Sequence, residues 1–279
     1  MKQKFIPGDE WLYVKIYLPA TRADSLIASL LPPITRLEKG RIIDKWFFIR
    51  YIDSQFHIRL RLHIPNPDRD LGQVIKVIKG IVSKYPAASC IDKIVYDTYV
   101  RELDRYGTYN IENCESFFHL DSRNTCCLLK GKYNEDTLWQ RALTFIDAIL
   151  DMYKYSSEEK LKFTSQAARD NLRYAGITDD NAKFFNVKYR EYRSKINNWL
   201  SPDNINVQSA FGKDIQKVYT DILNTYPDCT SSLIHMHCNR LFSSDQRLCE
   251  ATAYYFLSKH YSSIIARSAT NKKENVCNP

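Results

Sequence analysis

From His57 to Ile64 the chain reads His-Ile-Arg-Leu-Arg-Leu-His-Ile, an unbroken alternation of polar and apolar positions. Successive side chains of a strand point to opposite faces, so Ile58, Leu60, Leu62 and Ile64 line one side and His57, Arg59, Arg61 and His63 the other. Residues 11–18 alternate in the same way, with Leu12, Val14, Ile16 and Leu18 set against Trp11, Tyr13, Lys15 and Tyr17, which predicts a first strand whose second face is aromatic. Residues 45–51, Lys-Trp-Phe-Phe-Ile-Arg-Tyr, are rich in aromatic and branched side chains, and the short polar stretch 52–55 joins them to the His57 strand as a hairpin. Two helix-period stretches separate these strands. Residues 22–31 carry Leu26, Ile27, Leu30 and Leu31 before Pro32-Pro33, which should stop the helix; residues 71–84 carry Val74, Ile78, Ile81 and Val82 and should end near Pro86. With a strand over 91–100 the order becomes β-α-β-β-α-β, the order of a ferredoxin-like unit with helices on one face of an antiparallel sheet.

Beyond Asn134 the strand signal fades. Helices are expected over 135–153, 157–174, 182–198, 212–224, 229–242 and 245–261, with Ser156-Ser-Glu-Glu159 as a capping box and Gly176 as the matching stop. Residues 202–206 read as a loop and 269–279 as a frayed tail. The fold class expected is therefore α+β: one domain over 1–279, with a ferredoxin-like antiparallel sheet lobe over about 10–125 and a helical lobe over about 134–265.

Composition narrows the field. A hydrophobic content of 44% and a charged content of 26% are those of a globular chain, and no apolar run is long enough to span a bilayer or to serve as a secretory signal. The eight cysteines, Cys90, Cys114, Cys126, Cys127, Cys229, Cys238, Cys249 and Cys277, form no Cys-x-x-Cys pair. They read as idle or buried thiols in a reducing, cytoplasmic compartment. A net charge of +8 suits an acidic substrate but is too diffuse for direct nucleic-acid binding.

Three constellations could carry chemistry. In the His57–Ile64 strand two guanidiniums about 7 Å apart share a face, an arrangement that reads either as the solvated outer face of an antiparallel sheet or as a seat for an anion. In Arg101-Glu-Leu-Asp-Arg-Tyr-Gly107, Glu102 and Arg105 are spaced to pair on a helical turn, and Gly107 permits a sharp exit. In His235-Met-His-Cys-Asn-Arg240, His235 and Asn239 share a helix face one turn apart, with Asp228 or Thr230 as the cap upstream. His235 and His237 splay around a helix axis with no carboxylate completing a set, so no metal is expected there.

These motifs, in order, resemble the C-terminal elimination domain of class I lanthipeptide dehydratases. The resemblance is carried by Trp11-Leu-Tyr-Val-Lys-Ile-Tyr17, Trp46-Phe-Phe-Ile-Arg-Tyr51, His57-Ile-Arg-Leu-Arg61, Glu102-x-x-Arg105-Tyr-Gly107, Asp121-Ser122 and His235-x-His-x-Asn-Arg-Leu241, and it covers nearly the whole chain. It implies a catalytic set of Arg59, Arg61, Arg105 and His235, with His57, Tyr106, Asn239 and Arg240 lining the substrate site. Thr108, where relatives often have a second glycine, and Cys238 depart from the pattern without removing a reacting group. The activity implied is loss of glutamate from glutamylated Ser or Thr in a ribosomal precursor peptide, giving dehydroalanine or dehydrobutyrine, with no cofactor and no metal. The same resemblance makes the chain look like the elimination half of a split dehydratase of a lanthipeptide or thiopeptide pathway. Its partners would be the glutamylated peptide and a separate glutamylation protein, with room for a cyclase partner and a homodimer. Two alternatives stand beside this reading: a pyridine-forming cyclase of thiopeptide pathways, whose members generally lack the full elimination set, and a non-catalytic module that binds leader peptide.

Overall fold

The computed structural model describes residues 1–84, 90–177, 183–201 and 207–276. Residues 85–89 with Pro86, the expected loop at 202–206 and Cys277 lie outside that set. The chain divides into two compact units, Met1–Tyr133 with Asp214–Ser244, and Asn134–Lys213 with Asp245–Pro279.

The first unit begins with β1 (Lys4–Phe5), β2 (Trp11–Tyr17), α1 (Ala23–Lys39), β3 (Lys45–Ile52), β4 (Phe56–His63), α2 (Pro67–Lys84), β5 (Lys93–Asp97) and β6 (Tyr99–Val100). Its main sheet has the order β3-β4-β2-β5 with every pair antiparallel, which is the ferredoxin-like arrangement expected from the alternating strands. The apolar sides of β2, β3 and β4 pack on α1 and α2 in one core, where Val14, Ile16, Ile58, Leu60, Leu26, Leu30 and Val74 are all fully buried. The strand expected over 91–100 is broken. Thr98 donates its N–H to the Asp97 carboxylate (2.7 Å) instead of to a ladder partner, and β6 pairs with β1 in a separate two-stranded sheet.

Pro32 and Pro33 do not stop α1, which runs through both to Lys39. The two interior prolines cost about 3 kcal/mol each, and the burial of Ile34 and Leu37 on the continued helix, about 1.5–3 kcal/mol each, is of comparable size. Between the hairpin strands β3 and β4, Asp53 Oδ1 accepts from the backbone N–H of Ser54 (2.6 Å) and of Gln55 (3.3 Å), a turn held by its own side chain.

The unit is completed by α3 (Leu103–Tyr106), α4 (Ile111–Lys130) and, after the second unit has intervened, by the end of α8 (Val207–Thr225), a 3-10 turn Pro227–Cys229 and α9 (Thr230–Leu241). The helix carrying His235 thus belongs to the same unit as the sheet. No Asp228 or Thr230 side chain caps it: the 3-10 turn runs straight into α9, so its N-cap Cys229 has helical backbone, and Thr230 Oγ1 bonds back to Pro227 O (2.8 Å).

The second unit is built from α5 (Glu135–Met152), α6 (Ser157–Tyr174), α7 (Lys183–Trp199) and α10 (Gln246–Val276), with the start of α8. The expected capping box opens α6, with Glu159 N donating to Ser156 Oγ (3.2 Å) and Ser156 N to Glu159 Oε2 (2.8 Å), and Gly176 follows its end at φ +73°. Its buried polar centre is Asp147, which accepts from Lys160 Nζ (2.6 Å) and Tyr261 Oη (2.6 Å). Where a frayed tail was expected, α10 stays helical to Val276, because no glycine or proline interrupts the chain between Tyr261 and that residue.

Candidate active site

The second face of the sheet is a grid. Across β3, β4, β2 and β5 the register sets Tyr51, His57, Tyr17 and Lys93 in one row, Ile49, Arg59, Lys15 and Val95 in the next, and Phe47, Arg61, Tyr13 and Asp97 in the third. Arg61 is 8% exposed and its guanidinium lies over three rings, Tyr13 at 4.6 Å, Tyr99 at 4.8 Å and Phe47 at 5.2 Å. Burial pushes the phenols of Tyr13 and Tyr99 up, the latter strongly, so neither ring supplies a negative charge. Tyr99 is also held by the Glu115 carboxylate, which accepts its O–H (2.9 Å) and is clamped in turn by two bonds from Arg101, each 2.7 Å. Arg61 forms no ion pair among the described residues, and its buried Nε has no hydrogen-bond partner. Three cation–π contacts, each about 0.5–2 kcal/mol, only partly offset the several kcal/mol that burying an ion costs. An incoming carboxylate would close that gap.

Arg59, half-buried beside it, lays its guanidinium on the Tyr51 ring at 3.3 Å and donates from Nε to His57 Nε2 (3.1 Å). His57 is fully buried and its other nitrogen, Nδ1, donates to the Gln55 carbonyl (3.0 Å). At the far end of the strand His63 Nδ1 pairs with Asp44 (2.6 Å).

Arg105 sits on the single turn α3, where Nη1 donates to Glu102 (3.0 Å), as the three-residue spacing anticipates, and Nε donates to Ser232 Oγ on α9 (3.1 Å). Ser232 precedes His235 by three positions and so shares its helix face. Gly107 leaves α3 at φ +78°, and a Cβ there would lie 3.2 Å from the Tyr226 ring just ahead of α9, so the turn needs glycine for its backbone and for its closeness to that ring. One side chain joins the three constellations. Phe118 of α4 packs on Phe47, which touches Arg61, on Tyr106, the neighbour of Arg105, and beneath the guanidinium of Arg240 on α9, at 5.4, 5.3 and 4.7 Å.

α9 is docked by a clasp along the open edge of β3. Asn239 accepts from Arg50 N (2.9 Å) and donates to Arg50 O (2.8 Å); Arg240 Nε donates to Phe48 O (3.0 Å) and to Ser122 Oγ (3.1 Å); Ser122 accepts from Phe48 N (3.2 Å). Asp121 accepts from His237 Nδ1 (2.7 Å) and Arg240 Nη1 (3.2 Å) and is held ionised, its carboxyl kept low by His237 and Arg240 against the pull of burial. The Asp121-Ser122 and His-x-Asn-Arg motifs therefore fasten helix to sheet. His235 lies on the same face as Asn239, one turn back and half-buried.

The four residues expected to line the substrate site are each engaged within the protein. His57 has both ring nitrogens engaged, Tyr106 is buried edge-on to Phe118, Asn239 is spent on Arg50, and Arg240 is fully buried in the clasp. Conversely, Tyr13, Tyr51, Tyr99 and Ser232 hold the arginines and were not singled out. The alternation of residues 11–18 placed Tyr13 on the correct face, while Ser232 had only its helical spacing to His235 to mark it. Among the described residues, no group of three or more His, Cys, Asp or Glu side chains is arranged to hold a metal, and no helix is long and apolar enough to cross a membrane.

A family model described as lantibiotic biosynthesis dehydratase C-term matches residues 11–261. The nisin biosynthesis protein NisB of Lactococcus lactis subsp. lactis is 26% identical over 92% of this chain and 26% of NisB; the epidermin biosynthesis protein EpiB of Staphylococcus epidermidis is 28% identical over 84% of this chain and 24% of EpiB. The chain thus spans about a quarter of the length of these curated relatives. Among solved structures, the tRNA dependent lantibiotic dehydratase MibB from Microbispora sp. 107891 superposes with a TM-score of 0.66 at 18% identity, over 91% of this chain and 28% of that one. The pyridine synthase TbtD from thiomuracin biosynthesis superposes at 0.57 and 12% identity, over 91% of this chain and 99% of that one. At these identities the two structures share the fold.

Proposed function

Since the chain belongs to the lantibiotic biosynthesis dehydratase C-terminal family, we propose that it is a lyase that removes glutamate from glutamylated Ser or Thr side chains of a precursor peptide. The observation that carries this reading is Arg61: a buried, caged guanidinium with an orphaned Nε and no counter-ion among the described residues, two positions from Arg59 on β4. Such a site suits the side-chain carboxylate of a glutamyl group, which a guanidinium grips with two parallel bonds.

The reaction is an elimination. A base takes the Cα proton of the modified residue, the freed electron pair forms the Cα=Cβ bond, and the Cβ–O bond breaks to release glutamate as its carboxylate. Glutamylation makes this feasible because a carboxylate leaves from an acid of pKa about 3.5, whereas hydroxide leaves from water at about 15.7. That gap of about 12 units bounds the leaving-group advantage at about 16 kcal/mol, of which only the part developed in the transition state appears in the rate. In this reading His235 moves the proton, Arg59 and Arg61 hold the glutamyl group, and Arg105, anchored to the His235 helix through Ser232, faces the developing negative charge. The reacting ends of all four must then meet on one ester. TbtD shares the fold, and the retained three arginines and histidine favour elimination over ring formation for this chain.

The test is to give the purified protein a glutamylated peptide and weigh the product. Wild-type protein should remove one glutamic acid per modified residue, and His235→Ala should bind the peptide while leaving it glutamylated. Elimination by His235→Ala at the wild-type rate, or conversion of a bis-dehydroalanine peptide into a pyridine ring, would defeat the reading.

A further inference from the structure

We infer that His57 is a positioning residue for Arg59: a neutral imidazole that fixes the guanidinium in place and releases it when it takes up a proton. The inference rests on the elimination reading for the function of Arg59, but the bond itself stands on geometry alone.

Hydrogen-bond logic fixes the tautomer. The Gln55 carbonyl can only accept, so His57 Nδ1, 3.0 Å away, carries the proton. Arg59 Nε can only donate, so His57 Nε2, 3.1 Å away, presents its lone pair. Both bonds are satisfied only by a neutral ring. The Gln55 carbonyl is set by the Asp53 turn, whose carboxylate takes the N–H of Ser54 and Gln55. The imidazole is fully buried, stacked on Tyr17 of β2 (4.5 Å, 29°) and tilted against Tyr51 of β3 (5.5 Å), while the Arg59 guanidinium lies on that same Tyr51 ring at 3.3 Å. With Nε consumed by His57 and one face covered by Tyr51, Arg59 is left with its two terminal nitrogens to offer as an end-on fork. Arg61 has no such tether, because its buried Nε is without a hydrogen-bond partner.

Adding a proton to His57 turns Nε2 into a donor facing a donor, and the Arg59 bond fails. The groups around the ring oppose that proton on balance. Burial weighs most, with Arg59 and Lys15 adding repulsion, against the Gln55 carbonyl and the exposed Asp53 carboxylate, which favour it; Lys93 stands over the far ring, Tyr17, at 4.3 Å. The ring is therefore neutral near pH 7, and acid undoes the arrangement.

The experiment separates this role from proton transfer by His235 because it reads binding without the chemical step. A precursor-type peptide carrying 2,3-diaminopropionate acylated by glutamate has an amide where the ester should be, so it binds without eliminating. Wild-type affinity for it should fall between pH 7.5 and 5.5, by less than the roughly tenfold that an unshifted imidazole would give, His57→Gln, whose amide oxygen can accept from Arg59 at any pH, should hold a flat profile, and His57→Ala should bind weakly throughout. At pH 7.5 His57→Gln should keep more of the elimination rate than His57→Ala. Imidazole nitrogen NMR of the folded wild-type chain should show the Nδ1–H tautomer of His57. Identical pH profiles for wild type and His57→Gln, wild-type binding by His57→Ala, or the Nε2–H tautomer would each overturn the inference. A wild-type chain that binds no amide peptide and eliminates from no ester would sink the proposed reaction instead, and the tautomer would still decide the His57–Arg59 bond.

Discussion

Arg61 and Arg105 carry the same charge in different company, and substitutions should separate them. Arg61 is enclosed by Tyr13, Tyr99 and Phe47, so its planar head matters as much as its charge. Lysine would keep the charge but lose the fork and the stacking area, and Arg61→Lys should raise KM for a glutamylated peptide by about tenfold or more, roughly 1.4 kcal/mol, with the fold intact. An unchanged KM in steady-state kinetics would mean that Arg61 does not grip the glutamyl group. Arg105 depends on its turn. Gly107→Ala places a methyl group 3.2 Å from the Tyr226 ring at φ +78°, which should destabilise the first unit by about 1–3 kcal/mol in urea titration and weaken the Arg105–Ser232 link. Wild-type stability for this variant would show that the turn relaxes freely.

At the scale of elements, α9 is held to the edge of β3 by side chains that satisfy a row of backbone groups. Asn239→Ala leaves Arg50 N and O without partners beside a side chain that is 1% exposed, so it should cost about 1–3 kcal/mol of stability. Because α9 carries His235, the loss should also appear in the elimination rate, measured at a pH where the variant remains folded. Wild-type stability for Asn239→Ala would remove the clasp from the account. The clasp also marks where the sequence stops being readable. The alternation of 57–64 announced β4 and its two faces, since a period of two is local. That Asn239 reaches Arg50 on β3 depends on a contact between residues far apart in the chain, which no local period encodes. The helix end misplaced at Pro32-Pro33 fails for a related reason: burial of Ile34 and Leu37 offsets a local cost, and that burial exists only once the sheet is formed.

Across the whole molecule, the sequence told which face of the sheet is basic but not that most of its polar groups are internally engaged. Of the ladder, His57 is engaged by the Gln55 carbonyl and by Arg59, and His63 pairs with Asp44. This has a consequence for acid stability that involves both units. His57 and His119 in the first unit and His260 in the second are all held below the ordinary imidazole value of 6.5, burial being the largest cause for each. An unfolded chain takes up protons at these rings near pH 6.5, while the folded chain resists until lower pH, so the unfolded state binds more protons and stability must fall as pH drops through that window. The carboxylates held low by partners, among them Asp97 beside Lys15 and Asp121 between His237 and Arg240, keep their contribution until the pH nears and passes the ordinary carboxylate range of about 4. Glu38 and Asp151, raised by burial, act in the opposite sense, favouring the folded state as they protonate. Two stages follow. The urea midpoint should decline between pH 7 and 5.5 through the histidines, before any carboxylate loss sets in, and His57→Gln or His260→Gln should each shallow that first decline while lowering the midpoint at pH 7. If His57→Gln leaves the slope of the midpoint between pH 7 and 5.5 unchanged, the buried, neutral His57 on which Arg59 rests does not exist in solution.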